Sequence, residues 1–162
     1  MKDTETDPEN VNGRLADYLE SHKNAITNEW IERVRKDPGV PTGSMTKLEI
    51  IDHLPLIFDA VVQALRQHTS DAAIKQLHQV IARHTIVRWI ERFDLEAVLR
   101  EISLLRTEFI YHLRVFEEAG PDFDIASRLS ASMTIHRILD DVLMDAIEMF
   151  LKLTGGETER SA

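Results

Sequence analysis

Apolar residues recur every three or four positions along most of this chain, and this spacing is the feature that most restricts its fold. Because an α-helix turns once in about 3.6 residues, such spacing gives each segment one continuous apolar face. No segment has the strict alternation of apolar and polar residues that is typical of a half-buried strand. The pattern therefore predicts an all-α fold, a bundle of about five to six helices.

Turn and capping residues divide this pattern into five segments. The first segment starts near Leu15 and is expected to break near residues 21–24. It should end before Asp37-Pro38-Gly39, because the residue that precedes a proline disfavours the helical conformation. The second begins with Thr46 and Glu49, which have the spacing of a capping box. Both boundaries follow from local chemistry alone.

The second segment is predicted to be kinked, because Pro55 lies inside its apolar stripe and cannot donate a helical hydrogen bond. Three further segments start at residues typical of N-caps: Ser70 or Asp71, then Asp94, then Asp124. The fourth segment is expected to end at Gly120-Pro121.

The fifth segment extends to about Leu153 and should be about 45 Å long at 1.5 Å per residue. Its apolar face is broad, and two arrangements explain that breadth. The helix is either central, surrounded by the other four, or shared with a second copy of the chain in a homodimer. The face comprises Ile125, Leu129, Met133, Ile135, His136, Ile138, Leu139, Val142, Leu143, Ala146, Ile147 and Phe150.

Length and composition predict one domain. The 162 residues are 43% hydrophobic and 29% charged, which is ordinary for a globular protein. Residues 1–11 and 154–162 lack apolar periodicity and are expected to be disordered tails around a single helical sensor or interaction domain at residues 12–153. The first ten residues do not resemble a signal peptide, and no apolar run suits a membrane span, so we expect a cytoplasmic protein.

Charge and cysteine content narrow the function. The formal net charge of −9 argues against a nucleic-acid or membrane-surface partner, so proteins or small molecules are expected instead. The chain has no cysteine, which excludes disulfides, thiolate zinc sites, iron–sulfur clusters and cysteine nucleophiles.

Four polar residues, His84, Arg88, Arg106 and His136, occupy positions where the helix spacing calls for apolar side chains. The first two continue a stripe that contains Ile81 and project within about a quarter of the helix circumference. If they are buried, they need partners, because an unpaired buried charge costs several kcal/mol. If the helix leaves the core after Ile81, both are solvated, and the rarity of unpaired buried arginine favours this alternative.

The chain has no motif that supports catalysis. The six glycines form no phosphate-binding loop, and neither a G-x-S-x-G elbow nor a pair of metal-binding histidines at helix spacing occurs. Glu49 with His53 and Glu108 with His112 are spaced four apart, which is more typical of solvated pairs than of metal sites. We therefore expect no enzyme activity, no metal and no cofactor.

The two stripe histidines allow an alternative. His84 or His136 could serve as a haem ligand in an all-α fold, although a structural histidine is the more common case. His136 could also resemble the phosphoacceptor of a histidine kinase, but Arg137 follows it where an acidic residue is usual. We interpret His136 as a histidine that faces the core or a dimer partner.

Several short stretches occur in an order that is characteristic of one family. In chain order they are Leu15-Ala16-Asp17-Tyr18-Leu19, Trp30-Ile31-Glu32-Arg33-Val34, Asp52-His53-Leu54-Pro55, His84-x-x-x-Arg88, Phe93-Asp94-Leu95, Leu99-Arg100-Glu101-Ile102-Ser103-Leu104-Leu105-Arg106, and Leu139-Asp140-Asp141 with Ala146. Over about residues 14–152 the chain thereby resembles the N-terminal domain of the RsbT co-antagonist protein RsbRD family. It departs from the family pattern at Thr85, where glycine is common, and at Ile102, where tyrosine is common.

The resemblance implies a cytoplasmic input domain of the stressosome type, or one that precedes histidine kinase cores. Related domains have a globin-like fold without haem. No STAS or kinase sequence follows, so the chain is expected to be part of a longer protein or a stand-alone copy. Because His84, Arg88 and Arg106 lie in the stretches that carry the resemblance, they are candidates for one internal network.

These observations lead to one hypothesis: a non-catalytic sensory domain, dimeric, that acts on an output module or signalling partner through its last helix. The signal is expected to bias two packings of the bundle, either by protonation of His84 or by an anionic ligand at Arg88 and Arg106. A haem-binding or small-ligand-binding globin-like sensor is the alternative.

Overall fold

A computed structural model describes residues 8–66, 71–120 and 123–160, and these residues form seven helices and no strand. The prediction of an all-α bundle is therefore confirmed. The helices are α1 (Pro8–Ser21), α2 (Lys23–Lys36), α3 (Lys47–Ile51), α4 (Leu54–Leu65), α5 (Asp71–Ile90), α6 (Leu95–Ala119) and α7 (Ile125–Arg160). None of the helices in these ranges has an apolar stretch long enough to cross a lipid bilayer.

Helix α7 is the central helix of the bundle and packs against α1, α4, α5 and α6. Its buried residues are Ser127, Ala131, Ile135, Ile138, Leu139, Val142, Ala146 and Phe150. Leu129 and Met133 belong to the broad apolar face predicted for this helix, but they are 59% and 62% exposed. The apolar surface of α7 is broader than its neighbours can cover, so one side of the helix stays at the protein surface.

The caps predicted at Thr46, Asp94 and Asp124 are present. The Glu49 N–H donates to Thr46 Oγ1 at 3.3 Å, and the Thr46 N–H donates to Glu49 Oε2 at 2.6 Å, which completes the capping box. Asp94 accepts a hydrogen bond from the Ala97 N–H at 2.8 Å and starts α6. Asp124 similarly accepts one from the Ser127 N–H at 2.7 Å and starts α7. These bonds satisfy amide groups that the first helical turn leaves unpaired.

The second predicted segment is two helices rather than one kinked helix. Helix α3 ends at Ile51, and α4 starts at Leu54, after two intervening residues, with Pro55 in its first turn. Proline suits that position because the first turn needs no N–H donor from it. Between the helices, Asp52 has a φ of 37°, which turns the chain sharply. We call residues 52–53 the α3–α4 corner.

The first and last helices extend past the predicted limits of the domain, residues 12–153. Helix α1 starts at Pro8 instead of residue 12, because Val11 is fully buried and Asn12 Nδ2 donates to Ser130 Oγ of α7 at 3.2 Å. Helix α7 continues to Arg160 rather than ending at residue 153, since glycine lowers helix stability by only about 1 kcal/mol and does not forbid the conformation. Residues 1–7 and 161–162 of the predicted tails, the proposed cap at Ser70 and the Pro121 boundary lie outside the described residues.

Candidate functional site

Arg88 is completely buried near the end of α5, and its guanidinium connects three parts of the chain. Nε donates to Glu101 Oε2 of α6 at 3.0 Å, and Nη1 donates to Glu91 at 2.8 Å. Nη1 and Nη2 also donate to the carbonyl oxygens of Glu49 and Ile50, at 3.1 and 3.0 Å. These carbonyls lie at the end of α3, where they lack helical partners and attract a cation. Arg88 therefore closes the end of α3 against α5 and α6.

Glu101 is the buried counter-charge of Arg88. Its side chain is 2% exposed, and its Oε1 lies 3.0 Å from Arg88 Nη2, so the carboxylate and guanidinium meet side by side. The carbonyl of Glu101 accepts a hydrogen bond of 3.0 Å from Trp30 Nε1 of α2. The Phe93 ring lies 4.9 Å from Arg88 Cζ. The interpretation of Arg88 as solvated is therefore wrong, because α6 supplies the partner that burial requires.

His84, one helical turn before Arg88, is also buried and connects Glu101 to the α3–α4 corner. Its Nδ1 is hydrogen-bonded to Asp52 Oδ2 at 2.7 Å, and its Nε2 lies 3.5 Å from Glu101 Oε2. Burial lowers the pKa of an imidazole, but the two carboxylates outweigh that effect and hold the pKa of His84 above its ordinary value. Asp52, His84, Arg88 and Glu101 form a continuous set of contacts that we call the polar network.

Asp52 brings a second histidine to this network. Its Oδ2 lies 2.7 Å from Nδ1 of the adjacent His53, a nitrogen that is also buried. Burial acts to raise the pKa of Asp52, but the two histidines outweigh burial and hold it below its ordinary value. One carboxylate oxygen and one nitrogen from each of His53 and His84 lie within 4.8 Å of one another. This arrangement has the donor types and the convergence of a metal site.

Arg106 does not take part in this cluster, although it was predicted to join His84 and Arg88. Its guanidinium pairs with Asp140 of α7 and is partly exposed. The reason is helical geometry, because five residues separate Arg106 from Glu101 and place it about 140° further around α6. His136 is half-buried on α7. The predicted anion site is not supported either, because the donors of Arg88 are already committed to protein groups.

Two cavities bear on the haem and small-ligand alternative. The cavity beside His84 and Glu101 has a volume of about 20 Å³, enough for roughly one water molecule and far below the several hundred Å³ typical of a cofactor pocket. His84 therefore has no room for haem in this packing. A second, mainly apolar cavity of about 260 Å³ lies between α4, α5 and α7. It is lined by Leu56, Asp59, Ala60, Gln63, Ala73, Ile74, Gln76, Leu77, Val80 and Ile138.

The two carboxylate–histidine pairs spaced four apart behave differently from the prediction. Glu49 is exposed and serves the capping box, whereas His53 turns toward Asp52. Glu108 and His112 were expected to be solvated, but both are buried. They face polar residues of other helices instead of water.

Helices α1 and α2 supply those partners. Arg33 pairs with Glu108, and His112 Nε2 is hydrogen-bonded to Glu29 at 2.9 Å. The other His112 nitrogen, Nδ1, is hydrogen-bonded to the Tyr18 hydroxyl at 3.0 Å. These contacts form a second polar cluster on α6, which local spacing alone does not predict.

Asp52, His53 and Glu101 were not predicted as members of the site, although the position of Glu101 in the sequence gives one signal. Glu101 falls between Val98 and Leu105 in the apolar stripe of α6. A carboxylate at such a position is the natural complement of an arginine in the stripe of another helix. Asp52 and His53 gave no such signal, because their placement depends on the corner between two helices.

The structure brings together three of the stretches that carry the family resemblance. Asp52-His53-Leu54-Pro55 supplies the corner, His84-x-x-x-Arg88 supplies the α5 side of the network, and the stretch from Leu99 to Arg106 supplies Glu101. No protein-family model, no curated protein and no solved structure matches this chain.

Proposed function

We propose that this chain is a non-catalytic regulatory domain of bacterial signal transduction, an RsbR-type input domain or a sensor domain ahead of a histidine kinase. The observation that carries this proposal is the buried polar network of Asp52, His84, Arg88 and Glu101. Apolar side chains of similar volume often stabilise a core as well as a buried ion pair does. Buried charged groups are better suited to specify one packing or to switch between two, which is the requirement for a sensor.

The network has a mechanical connection to α7. Trp89 follows Arg88 directly, and its ring packs edge-to-face on Phe150 of α7 with the centroids 5.0 Å apart. A change in the network that tilts the end of α5 therefore displaces Phe150. Helix α7 continues from there to Arg160, so a rigid helix can transmit the displacement to an output module.

The experiment that tests this coupling is hydrogen–deuterium exchange on the full chain. Glu101→Gln removes the negative charge that pairs with Arg88, while the glutamine side chain keeps the shape of the glutamate. We expect faster exchange at the corner and, in addition, about tenfold faster exchange around Phe150, or about 1.4 kcal/mol of local opening free energy. If exchange in α7 stays at the wild-type level while the corner loosens, the network is not coupled to α7 and the proposal fails.

The matched control for this experiment is Glu96→Gln on the same helix. Glu96 also pairs with an arginine, Arg100, but its side chain is 71% exposed. Because an exposed pair contributes little to packing, this variant is expected to leave exchange in α7 unchanged.

The partner that we propose is a second copy of the chain, docked on the exposed face of α7. Ile125, Leu129 and Met133 are spaced four residues apart and are 78%, 59% and 62% exposed. Residues at this spacing form a ridge suited to packing against another helix. A two-fold dimer uses the same patch on both copies, so one ridge suffices. The acidic net charge of −9 disfavours nucleic-acid and membrane-surface partners, which leaves a protein partner as the better candidate.

Light scattering after size exclusion tests the dimer. We expect a mass twice that of the 18.6 kDa chain, and a monomer for Leu129→Glu, because a charge at the centre of the ridge cannot be desolvated. Ile90→Glu is the control, since Ile90 is 70% exposed but lies at the end of α5. A wild-type monomer, or a dimer that survives Leu129→Glu, contradicts this part of the proposal.

A further inference from the structure

We propose that the α3–α4 corner binds a first-row divalent transition-metal ion, such as Zn²⁺, through Asp52, His53 and His84. The donor atoms are Asp52 Oδ2 and the Nδ1 atoms of the two histidines, and they lie within 4.8 Å of one another. The residues come from two separate parts of the chain, which the fold brings to one point.

The donor set selects the class of ion. Two imidazole nitrogens and one carboxylate oxygen suit Zn²⁺, Fe²⁺ or Co²⁺, whereas Mg²⁺ and Ca²⁺ prefer sets made of oxygen alone. Bonds of about 2.0–2.2 Å to a tetrahedral ion place neighbouring donors roughly 3.3 Å apart. Asp52 Oδ2 now lies 2.7 Å from each nitrogen, so a small side-chain rotation opens the space that an ion needs.

His53 supports the proposal most directly. Its Nδ1 is buried and lies 2.7 Å from Asp52 Oδ2, the same oxygen to which His84 Nδ1 is hydrogen-bonded. One carboxylate oxygen therefore lies next to two imidazole nitrogens. Coordination of an ion uses the lone pairs of all three atoms at once.

A supporting shell for the site is already present. His84 Nδ1 faces Asp52, while its Nε2 lies 3.5 Å from Glu101 Oε2. Metal-binding histidines usually donate their other N–H to a carboxylate, which fixes the ring and its tautomer. Arg88 holds Glu101 in turn with a 3.0 Å hydrogen bond. Arg88 therefore helps to fix the orientation of His84 through Glu101.

The corner also has the backbone and the access that a site requires. Asp52 adopts a φ of 37° and a ψ of −110°, a conformation that residues other than glycine rarely adopt and that is often found at functional sites. The Asp52 and His53 side chains are 18% and 16% exposed. An ion can therefore enter from solvent without unfolding the helices.

The second polar cluster is a poorer candidate. Glu29, Glu108 and His112 also bring three donor atoms together, but the guanidinium of Arg33 pairs directly with Glu108. That cation neutralises a carboxylate that the metal needs. At the corner, Arg88 contacts Glu101, which is not a proposed ligand. Arg88 therefore does not neutralise the carboxylate of Asp52.

The regulatory meaning of this site rests on the proposed function, although binding itself does not. An ion replaces the direct contact between His84 and Asp52 and pulls the corner toward α5. Because His84 also contacts Glu101, occupancy changes the polar network. The ion is thereby the signal that selects one packing of the domain.

The test is a titration of the full chain after chelation by EDTA and buffer exchange. Co²⁺ is the probe, because bound Co²⁺ absorbs visible light, and Zn²⁺ is then added to displace it. We expect one Co²⁺ per chain, displaced by Zn²⁺ and unaffected by excess Mg²⁺. Asp52→Asn and His53→Gln are each expected to abolish this absorption, and circular dichroism confirms that each variant is folded.

Two controls locate the site. His78→Gln removes a histidine that pairs with Asp145 on the surface but lies outside the corner, and it should bind Co²⁺ as the wild type does. Glu101→Gln keeps all three ligands and is expected to weaken binding by about 10- to 100-fold through the lost support of His84. Asn at position 52 preserves the backbone preference, and His53 is partly exposed, so at least one ligand variant should fold.

The inference is overturned if the wild type takes up no Co²⁺, if both ligand variants bind like the wild type, or if His112→Gln alone abolishes binding. Hydrogen exchange with and without Zn²⁺ separates this inference from the proposed function. Binding without any change in α7 leaves the metal site intact and refutes the regulatory coupling. If no ion binds but exchange in α7 still responds to Glu101→Gln, the metal site is refuted and the regulatory coupling stands.

Discussion

Arg88 Nε donates a 3.0 Å hydrogen bond to Glu101 Oε2, and both side chains are almost completely withdrawn from solvent. The pair joins α5 to α6 at the same point where Arg88 also closes the end of α3. Each charge depends on the other, because neither retains the water that stabilises it in an unfolded chain. The free energy of unfolding should therefore respond very differently to the loss of one member and to the loss of both.

Arg88→Met is expected to lower the free energy of unfolding by about 3–5 kcal/mol, since it leaves the buried Glu101 carboxylate without the guanidinium that pairs with it. The double variant Arg88→Met/Glu101→Leu removes both charges and should be more stable than the single variant. Urea denaturation monitored by circular dichroism measures both values. A double variant that is less stable than Arg88→Met would contradict the interpretation of the contact as a buried ion pair.

The reference for this comparison is Arg114→Met/Glu118→Leu. Arg114 Nε and Glu118 lie 2.8 Å apart one turn along α6, but both side chains are mostly exposed. Exposed pairs at this spacing contribute little to stability, so this double variant should change the free energy of unfolding far less than Arg88→Met does.

The pH dependence of stability should carry a contribution from Glu108. Burial raises the pKa of Glu108 above its ordinary value, and Arg33 offsets this only in part. A carboxyl group with a raised folded-state pKa contributes stability below its unfolded pKa and loses it as the pH rises through the folded pKa. Glu108→Gln is therefore expected to flatten the decline in stability from about pH 4.5 toward neutrality. The measurement is the free energy of unfolding across that range.

Asp124 provides a comparison with the opposite sign. The N–H of Ser127 holds the pKa of Asp124 below its ordinary value, so Asp124 contributes stability above its unfolded pKa and loses it as the pH falls. Asp124→Asn should flatten the acidic side of the profile. If Glu108→Gln changes the same side as Asp124→Asn, the assignment for Glu108 is wrong.

The capping bond at the start of α6 should be measurable. Asp94→Ala removes the acceptor for the Ala97 N–H and is expected to cost about 0.5–2 kcal/mol of the free energy of unfolding. Asp94→Ser keeps an acceptor and should recover most of that loss. Equal stabilities for the two variants would mean that the bond contributes nothing.

The first turn of α1 should contribute to the core although it precedes the predicted domain boundary. Val11 is fully buried, so Val11→Ala is expected to lower the free energy of unfolding by about 1–3 kcal/mol. Ile90→Ala, at a position 70% exposed, should change it by less than about 0.5 kcal/mol. Similar small values for both variants would place Val11 outside the core.

The helices could be predicted from the sequence because their causes are local. A capping box such as Thr46 with Glu49, or a cap such as Asp94, acts within one turn of its own helix. The corner at Asp52 was missed because Pro55 is compatible both with a kinked helix and with the start of a new one. Only the packing of α3 and α4 against the rest of the bundle selects the second.

The candidate site could be predicted in part, because the stripe positions of His84 and Arg88 are visible in the sequence. Their burial was not predictable from typical exposure, since it depends on Glu101 in another helix. Asp52 lies 32 residues before His84, and no local rule connects the two. Arg106 was misassigned for a similar reason: residues in one sequence block need not point to one face of the helix.

The two tryptophans lie where their intrinsic fluorescence can report on the polar network and on the central helix. The indole N–H of Trp30 bonds the carbonyl of Glu101, and the Trp89 ring rests on Phe150 of α7. The chain contains no other tryptophan, so intrinsic fluorescence arises at the two ends of the proposed route. Trp89→Phe isolates the emission of Trp30 beside the network, and Trp30→Phe isolates that of Trp89 at the central helix. The unlabelled molecule thus supplies two separate optical reporters, one beside the polar network and one on the central helix.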